Sequence, residues 1–153
     1  MTKALELMPA DVALGRKGDR LKTLLGSCIS VILTDPRRTV GAMCHIVHVG
    51  RPNAANLHNT AYGVVAMDEM FHRVQSVGVV PQQCVAFVHG GGNMFPNIWS
   101  KQHVGATNAH WVLQFLEDHQ ITVVEKDVGG NVYRKVSWEV GLDHPTVEAE
   151  KSE

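Results

Sequence analysis

The amino-acid sequence predicts an α/β fold of the α+β type: a layered sandwich of antiparallel or mixed β-sheets with two long helices. Three observations support this prediction. Short segments rich in apolar and β-branched residues, about seven of them, are separated by turn residues, a pattern typical of strands. Two longer segments place apolar residues at helical spacing. The connections between strands are short and hairpin-like, which favours antiparallel or mixed sheets over a doubly wound parallel sheet.

The predicted elements follow one another along the chain. Strands are predicted at Asp11–Leu14, Leu21–Leu25, Cys28–Leu33, Thr39–His48, Gln83–His89, Ile121–Asp127 and Val132–Val140. Helices are predicted from Thr60 to about Val77 and over about Ala106–His119. Gly78 ends the first helix, since glycine is favoured just after a helix C-terminus.

The length of 153 residues is enough for one domain with one substantial core. There is no internal repeat and no linker-like segment that would mark a second domain. We therefore expect a single domain over residues 1–142. Residues 143–153 are mostly polar, and we expect them to form a disordered C-terminal tail.

The composition is that of an ordinary globular protein, with 44% hydrophobic residues, 19% charged residues and a net charge of −1. No basic stripe points to nucleic acid or to an anionic membrane surface. No apolar run approaches the roughly 20 residues of a membrane helix, and the N-terminus lacks the apolar core of a signal peptide. The three cysteines have no disulfide-framework spacing, so we expect free thiols, a reducing compartment and a cytoplasmic protein.

The most informative segment is the predicted hairpin that begins at Cys28 and returns through His45. Asp35-Pro36-Arg37-Arg38 forms its turn, because proline is favoured early in a turn and aspartate bonds the turn backbone. If Thr34 pairs with Thr39, Cys28 lies directly opposite His45. Such opposed residues have Cβ atoms roughly 4.5–5.5 Å apart. A thiol and an imidazole at that distance could act as a nucleophile and its base.

The same register separates the two faces of the hairpin. It pairs Ile29 with Cys44, Val31 with Ala42 and Leu33 with Val40, which makes one face wholly apolar. A slip of one residue would mix the faces, so the apolar pairing supports the register. His45 would then either take the Cys28 proton during the reaction or rest as an imidazolium beside a thiolate. A neighbouring imidazolium would lower the thiol pKa and make Cys28 the most reactive of the three cysteines.

The other cysteines and histidines have simpler interpretations. Cys44 and Cys84 lie inside apolar runs and are expected to be buried core thiols. Cys44, His45 and His48 could be taken for a metal cluster, but a strand cannot direct all three at one ion, and no second Cys/His pair has zinc-like spacing. We therefore expect no metal and no cofactor.

Two glycine runs and two basic pairs complete the candidate features. Gly90-Gly91-Gly92 predicts a tight loop that needs positive φ or close backbone approach, and Gly129-Gly130 predicts a hairpin turn. Neither run follows a phosphate-loop or dinucleotide-binding pattern. The pairs Arg37-Arg38 and Arg134-Lys135 are expected to be solvated charges.

With these motifs in view, the chain resembles the chemoreceptor glutamine deamidase family of bacterial chemotaxis, the CheD family, from about Leu5 to Val140. The segments that carry the resemblance are Thr23-Leu24-Leu25-Gly26-Ser27-Cys28, Asp35-Pro36, Gly41-Ala42-Met43-Cys44-His45, Gly90-Gly91-Gly92-Asn93-Met94-Phe95 and Asp127-Val128-Gly129-Gly130-Asn131. Several ordered motifs over most of the length make a chance match improbable.

The resemblance implies a layered α/β sandwich and hydrolysis of receptor glutamine side chains to glutamates through a cysteine thioester. It implies Cys28 as nucleophile, His45 as base and a threonine as third member, for which Thr23 is preferred over the position of Lys22. We expect backbone N–H groups near Ser27 and Cys28 to hold the oxyanion. The loops Gly50–Asn59 and Gly90–Ser100, the latter with Gly91, Gly92 and Asn93, are expected to flank the substrate.

The expected partners are the cytoplasmic helices of methyl-accepting chemoreceptors. Two alternative functions stay open on the sequence alone. One is a docking and regulatory module for a CheC-type chemotaxis phosphatase. The other is hydrolysis of receptor glutamyl methyl esters, because the same thioester chemistry would release methanol instead of ammonia.

Overall fold

The computed structural model describes residues 2–94 and 104–151, which form nine strands and two α-helices. In chain order these elements are β1 (Ala4–Leu7), β2 (Val12–Arg16), β3 (Arg20–Leu25), β4 (Ile29–Thr34), β5 (Val40–Ile46), α1 (Gly63–Gln75), β6 (Val85–Gly90), α2 (Val104–Asp118), β7 (Thr122–Val128), β8 (Val132–Glu139) and β9 (Thr146–Lys151). Short 3-10 turns lie at Ala54–Asn56 and Pro81–Gln83. None of the described helices is long and apolar enough to cross a membrane.

The strands form two mixed sheets. The four-stranded sheet has the order β1-β3-β8-β9, and the five-stranded sheet has the order β2-β5-β4-β6-β7. Most neighbours are antiparallel, but β1 pairs with β3, and β6 with β7, in parallel. The predicted layered α+β arrangement of mixed sheets and two long helices is confirmed.

The five-stranded sheet is the middle layer, because its two faces bury side chains against different neighbours. One face packs against the helices: α1 contacts β5, and α2 contacts β7, β4 and β6. We call this the helix-facing layer; on the central strands it contains Ile29, Val31, Leu33, Ala42, Cys44, Ile46, Ala86 and Val88. The other face packs on the four-stranded sheet. We call this the inter-sheet layer; its apolar members are Leu7, Leu21, Leu25, Ile32, Met43, Phe87, Val136, Trp138 and Val140.

The two sheets approach closely where Gly41 faces Trp138. A Cβ on Gly41 would overlap the Trp138 ring, so only glycine leaves room for the indole at this position. The indole N–H donates to the Leu142 carbonyl oxygen at 3.0 Å, which fixes the ring in place. This contact helps to set the spacing between the sheets.

The hairpin register differs from the predicted one by two residues. Thr34 pairs with Gly41 rather than Thr39, and Ser30 rather than Cys28 lies opposite His45. The Asp35 carboxylate accepts hydrogen bonds from the backbone N–H groups of Thr39 and Val40, as expected for a turn aspartate. These bonds keep Thr39 in the turn, so the connection is longer than predicted. Because the shift is even, every side chain keeps its predicted face.

The expected disordered tail also differs from the structure, since Thr146–Lys151 form β9, an edge strand paired with β8. Only Val147 of this strand packs on the inter-sheet layer. Charged side chains such as Glu148 and Glu150 suit an exposed edge strand, and their polarity alone does not distinguish such a strand from a disordered tail.

Gly129 and Gly130 do have positive φ, but they do not form a hairpin turn. They connect β7 of the five-stranded sheet to β8 of the four-stranded sheet, and these two strands do not pair with each other. The glycines therefore carry the chain across the sandwich.

Candidate active site

The best-defined contact between the sheets in this region is a hydrogen bond between Thr23 and His45. Thr23 lies on β3 and His45 on β5, and both side chains are buried, with 2% and 3% exposure. The Thr23 hydroxyl oxygen is 2.8 Å from Nδ1 of His45. The same hydroxyl donates to the Leu7 carbonyl oxygen on β1 at 2.9 Å.

These two bonds together select the tautomer of His45. A carbonyl oxygen can only accept, so the single Thr23 hydroxyl proton points to Leu7. The hydroxyl oxygen must then accept a proton from Nδ1 of His45. The neutral ring therefore carries its proton on Nδ1 and leaves the lone pair of Nε2 free to act as a base.

Cys28 lies directly before β4 and is half-buried, and its side chain packs against the inter-sheet layer that also contains His45. Since Ser30 is the residue opposite His45, Cys28 is its neighbour on the diagonal rather than directly across. Diagonal neighbours in an antiparallel pair are about 7–8 Å apart at the backbone and remain within reach of long side chains. The prediction of a directly opposed pair was wrong, whereas the shared face is observed.

Burial governs the ionisation of both groups. It lowers the pKa of His45, and the nearby Asp11 carboxylate partly opposes this effect. Burial raises the pKa of the Cys28 thiol, so the expected lowering by an imidazolium is not found. Both shifts favour a resting pair of neutral thiol and neutral imidazole over a thiolate–imidazolium pair.

The other two cysteines are buried, as the sequence predicts, with 0% exposure for Cys44 and 3% for Cys84. Burial raises the pKa of the Cys44 thiol to about 12. It also raises the pKa of Cys84 to about 11, with a further contribution from Asp35. Neither group resembles an activated nucleophile.

The glycine run packs against the segment that carries Cys28. The N–H of Gly91 donates to the Cys28 carbonyl oxygen at 2.9 Å, and that of Gly92 to the Gly26 carbonyl oxygen at 3.0 Å. Gly90 has a φ of 116°, and a Cβ there would collide with the Cys28 carbonyl oxygen. The predicted need for positive φ and close backbone approach is confirmed.

The remaining predicted positions can be placed only in part. The N–H of Asn93 donates to the Gly130 carbonyl oxygen at 2.8 Å, which joins the glycine run to the β7–β8 connection. Residues 95–100 of the predicted flanking loop lie outside the described residues. The loop Gly50–Asn59 contains a 3-10 turn that Asn53 caps.

Asn108 on α2 is a residue that the sequence reasoning missed. It is 2% exposed, and its side-chain amide donates to the Ser27 carbonyl oxygen at 3.1 Å and to that of Val47 at 3.4 Å. It thus ties the segment before Cys28 to the segment after His45. The available signal was an asparagine beside Ala109 in an otherwise apolar helical stripe.

Arg134 corrects the expectation of a solvated charge, because its side chain is only 4% exposed. Its guanidinium donates to the carbonyl oxygens of Gly90 at 3.1 Å and Gly129 at 2.7 Å, and it pairs with Asp127 at 3.2 Å. A residue of the four-stranded sheet therefore supports the glycine run next to Cys28.

No group of three or more His, Cys, Asp or Glu side chains could hold a metal ion within residues 2–94 and 104–151.

Comparison with known proteins gives the family of the chain. The family profile described as CheD chemotactic sensory transduction matches residues 49–144, which is more than half of the chain. The chain belongs to the CheD family. The profile match begins after Cys28 and His45, but curated relatives of the CheD family align with nearly the whole chain.

Three of these CheD relatives are each named a probable chemoreceptor glutamine deamidase. The protein from Shewanella oneidensis is 33% identical over 145 residues, covering 91% of this chain and 69% of the relative. That from Dechloromonas aromatica is 33% identical over 138 residues, covering 88% and 80%. That from Pseudomonas savastanoi pv. phaseolicola is 29% identical over 137 residues, covering 88% and 77%.

Proposed function

We propose that this protein hydrolyses the side-chain amide of glutamines on bacterial chemoreceptors, which yields glutamate and releases ammonia. The names of its CheD relatives give the substrate class. The observation that carries the residue assignment is the Thr23–His45 hydrogen bond, which leaves Nε2 of a buried imidazole unprotonated on the same face as Cys28. The substrate glutamines would lie on the cytoplasmic helices of the receptor, so we place the protein in the cytoplasm.

The first half of the proposed reaction forms a thioester. Nε2 of His45 takes the thiol proton of Cys28 as the sulfur attacks the amide carbon of the glutamine side chain. A carbon–sulfur bond forms, and the carbonyl oxygen becomes an oxyanion. The carbon–nitrogen bond then breaks, and the His45 imidazolium gives its proton to the departing nitrogen, which leaves as ammonia.

The second half hydrolyses the thioester. A water molecule attacks the thioester carbon while His45 takes one of its protons. The carbon–sulfur bond breaks, the proton returns to the Cys28 sulfur, and the receptor side chain leaves as glutamate. No metal ion or organic cofactor takes part in either half.

The surrounding residues have supporting roles in this proposal. Backbone N–H groups at Ser27 and Cys28 would stabilise the oxyanion in both halves. Thr23 holds the His45 ring in the required tautomer, as the third member does in other triads. Gly91, Gly92 and Asn93 would line one side of the substrate, because this run packs directly on the segment before Cys28.

The test is a co-expression experiment with the cytoplasmic fragment of a chemoreceptor. Mass spectrometry of receptor peptides should show glutamine converted to glutamate with the wild-type protein and not with Cys28→Ala. Ammonia release from the purified pair is the second measurement. Loss of receptor methyl groups with no change in glutamines would instead favour a methyl esterase. Binding of a CheC-type phosphatase with neither reaction would favour a docking module.

A further inference from the structure

Ser30 is flanked by two histidines in a buried row across the five-stranded sheet. It lies on β4, directly opposite His45 on β5 and directly opposite His89 on β6. Ser30 and His89 have no exposed surface, and His45 has 3%. The next row of the same face, Ile32 with Met43 and Phe87, belongs to the inter-sheet layer, so the three polar side chains lie between the sheets.

The side chains of Ser30 and His89 have no hydrogen-bond partner among the described residues. The unpaired atoms are the Ser30 hydroxyl oxygen and both ring nitrogens of His89. Buried polar side chains are nearly always paired, and an exception calls for a physical reason such as a catalytic role or an internal water. Directly opposed residues are close enough for their polar atoms to be joined by a side-chain rotation or through one enclosed water.

We propose that Ser30 and His89 are positioning residues for the His45 base. A ring nitrogen of His89 accepts a hydrogen bond from the Ser30 hydroxyl. This bond turns the lone pairs of the Ser30 oxygen toward the His45 ring. The oxygen then stabilises the imidazolium that His45 becomes when it takes the Cys28 proton. This inference rests on the proposed function only for its expected effect on the rate of ammonia release. The interaction of Ser30 and His89 with His45 can be measured without any substrate.

The charges around His89 are compatible with an accepting ring. Burial lowers the pKa of His89 most strongly, and Arg134 lowers it further. The Glu125 and Asp127 carboxylates on β7 oppose both effects, and Asp127 is the register partner of His89. Asp127 also pairs with Arg134, which weakens its influence on the ring. A neutral His89 ring has one nitrogen that can accept a hydrogen bond from Ser30.

The charges around His45 set the direction of the expected effect. Burial disfavours its charged form, and Asp11 favours it; Cys28 is the titratable neighbour on the adjacent strand. A Ser30 oxygen turned toward the ring adds to the influence of Asp11. Its removal should lower the pKa of His45 further, because the imidazolium loses a stabilising dipole.

Two variants remove the interaction, and two others serve as comparisons. Ser30→Ala deletes the hydroxyl, and His89→Phe replaces the ring nitrogens by carbon. His89→Gln retains a hydrogen-bond acceptor and should restore part of the effect. The matched control is Thr34→Val on the same strand and face, because the Thr34 hydroxyl already donates to the Val40 carbonyl oxygen at 2.7 Å.

The direct measurement is the titration of the His45 ring by nuclear magnetic resonance in each purified variant. Ser30→Ala and His89→Phe should both move the His45 titration to lower pH, whereas Thr34→Val should not. The thermal unfolding midpoint should fall in both Ser30→Ala and Thr34→Val, because each variant loses a buried hydrogen bond. The His45 titration therefore separates the proposed role of Ser30 from a merely structural one.

The kinetic measurement is the pH dependence of kcat/KM for ammonia release from a receptor fragment. Loss of imidazolium stabilisation should reduce the rate about two- to tenfold, the size of one neutral hydrogen bond, and should move the acidic limb to lower pH. A merely structural role would lower the rate without moving the limb.

An unchanged His45 titration in both Ser30→Ala and His89→Phe would overturn the inference, even in an active enzyme. A wild-type protein that releases no ammonia would overturn the proposed function instead, while the titration would still report on the row.

Discussion

Both faces of the central strands β4, β5 and β6 are buried, but the two faces differ in chemistry. On β4, β5 and β6 the helix-facing layer contains Ile29, Val31, Leu33, Ala42, Cys44, Ile46, Ala86 and Val88, all apolar. The inter-sheet face of the same strands contains Ser30, Ile32, Thr34, Gly41, Met43, His45, Phe87 and His89, half of them with polar side chains. Polar groups are tolerated between the sheets because the opposite sheet supplies hydrogen-bonding partners, as Thr23 does for His45.

This difference explains why the proposed reaction is placed between the two sheets. The helices cover the first face largely with apolar side chains, and burial there would keep a nucleophilic thiol protonated, as it does for Cys44. Between two sheets packed about 10 Å apart, side chains from opposite backbones can meet. The proposed site occupies the end of this layer, where Cys28 is partly exposed and a substrate side chain would reach it.

The largest expected effect comes from removing one cysteine from each layer. Cys28→Ala should lower the rate of receptor deamidation by several orders of magnitude while the protein remains folded, because the nucleophile is lost. Cys44→Ala should retain activity and lower the free energy of unfolding by about 1 kcal/mol, through a small cavity. Deamidation rates and urea unfolding of both variants test this. Activity retained in Cys28→Ala would place the nucleophile elsewhere.

The second effect concerns the reactivity of the same thiols. Cys28 should react with limiting iodoacetamide at least about tenfold faster than Cys44 or Cys84, because it alone of the three is partly exposed. The pKa values of about 12 for Cys44 and about 11 for Cys84 slow those thiols further. Peptide mapping after a short exposure at pH 8 gives the order of labelling. Faster labelling of a helix-facing cysteine would mean that this layer opens more readily than the inter-sheet layer.

The third effect is that of the hydroxyl which joins the sheets. Thr23→Ala should reduce the deamidation rate about two- to tenfold, the size of one neutral hydrogen bond, which is less than the loss in Cys28→Ala or His45→Ala. Thr23→Ser keeps the hydroxyl and should restore most of the rate. The measurement is the rate on one receptor fragment for all four variants. A Thr23→Ala protein as inactive as Cys28→Ala, yet folded, would mean that the hydroxyl does more than orient the ring.

The smallest effect is on stability. His45 and His89 both have lowered pKa values when folded, so the unfolded chain binds protons more readily near its ordinary histidine pKa of about 6.5. Stability is therefore complete above that pH and falls as the pH drops, by at most about 1.4 kcal/mol per pH unit for each group. Unfolding free energies between pH 7.5 and pH 5.5 should show this slope, and His89→Phe should reduce it. An equal slope in that variant would assign the acid sensitivity to other histidines.

Much of the fold follows from local patterns in the sequence. The apolar runs and helical stripes predict the two long helices and seven of the nine strands, because these patterns depend on residues a few positions apart. β1 is a short edge strand and β9 is a polar one, and neither has the apolar signature of a buried strand.

The residues of the candidate site were predictable from the sequence, but their geometry was not. The face on which Cys28 and His45 lie follows from the period of two along a strand. Which residue lies opposite His45 depends on the length of the Asp35 turn, and this turn is longer than its residues suggest. Two further features depend on which sheet each strand joins, and short-range patterns do not encode this. They are the inward Arg134 and the Thr23–His45 bond, which bring together residues far apart in the chain.

The contact between Gly41 and Trp138 affects the candidate site from a distance, because it helps to set the spacing between the two sheets. His45 stands four residues along β5 from Gly41, roughly 13 Å at the rise of a strand. A larger side chain at position 41 would wedge the two sheets apart at the indole, and the 2.8 Å bond between Thr23 and His45 would lengthen because it spans the same gap. The alignment of the proposed base thus depends on the distance between the two sheets. If His45 is the base, a mutation that loosens the sandwich far from Cys28 would impair catalysis before it impairs folding.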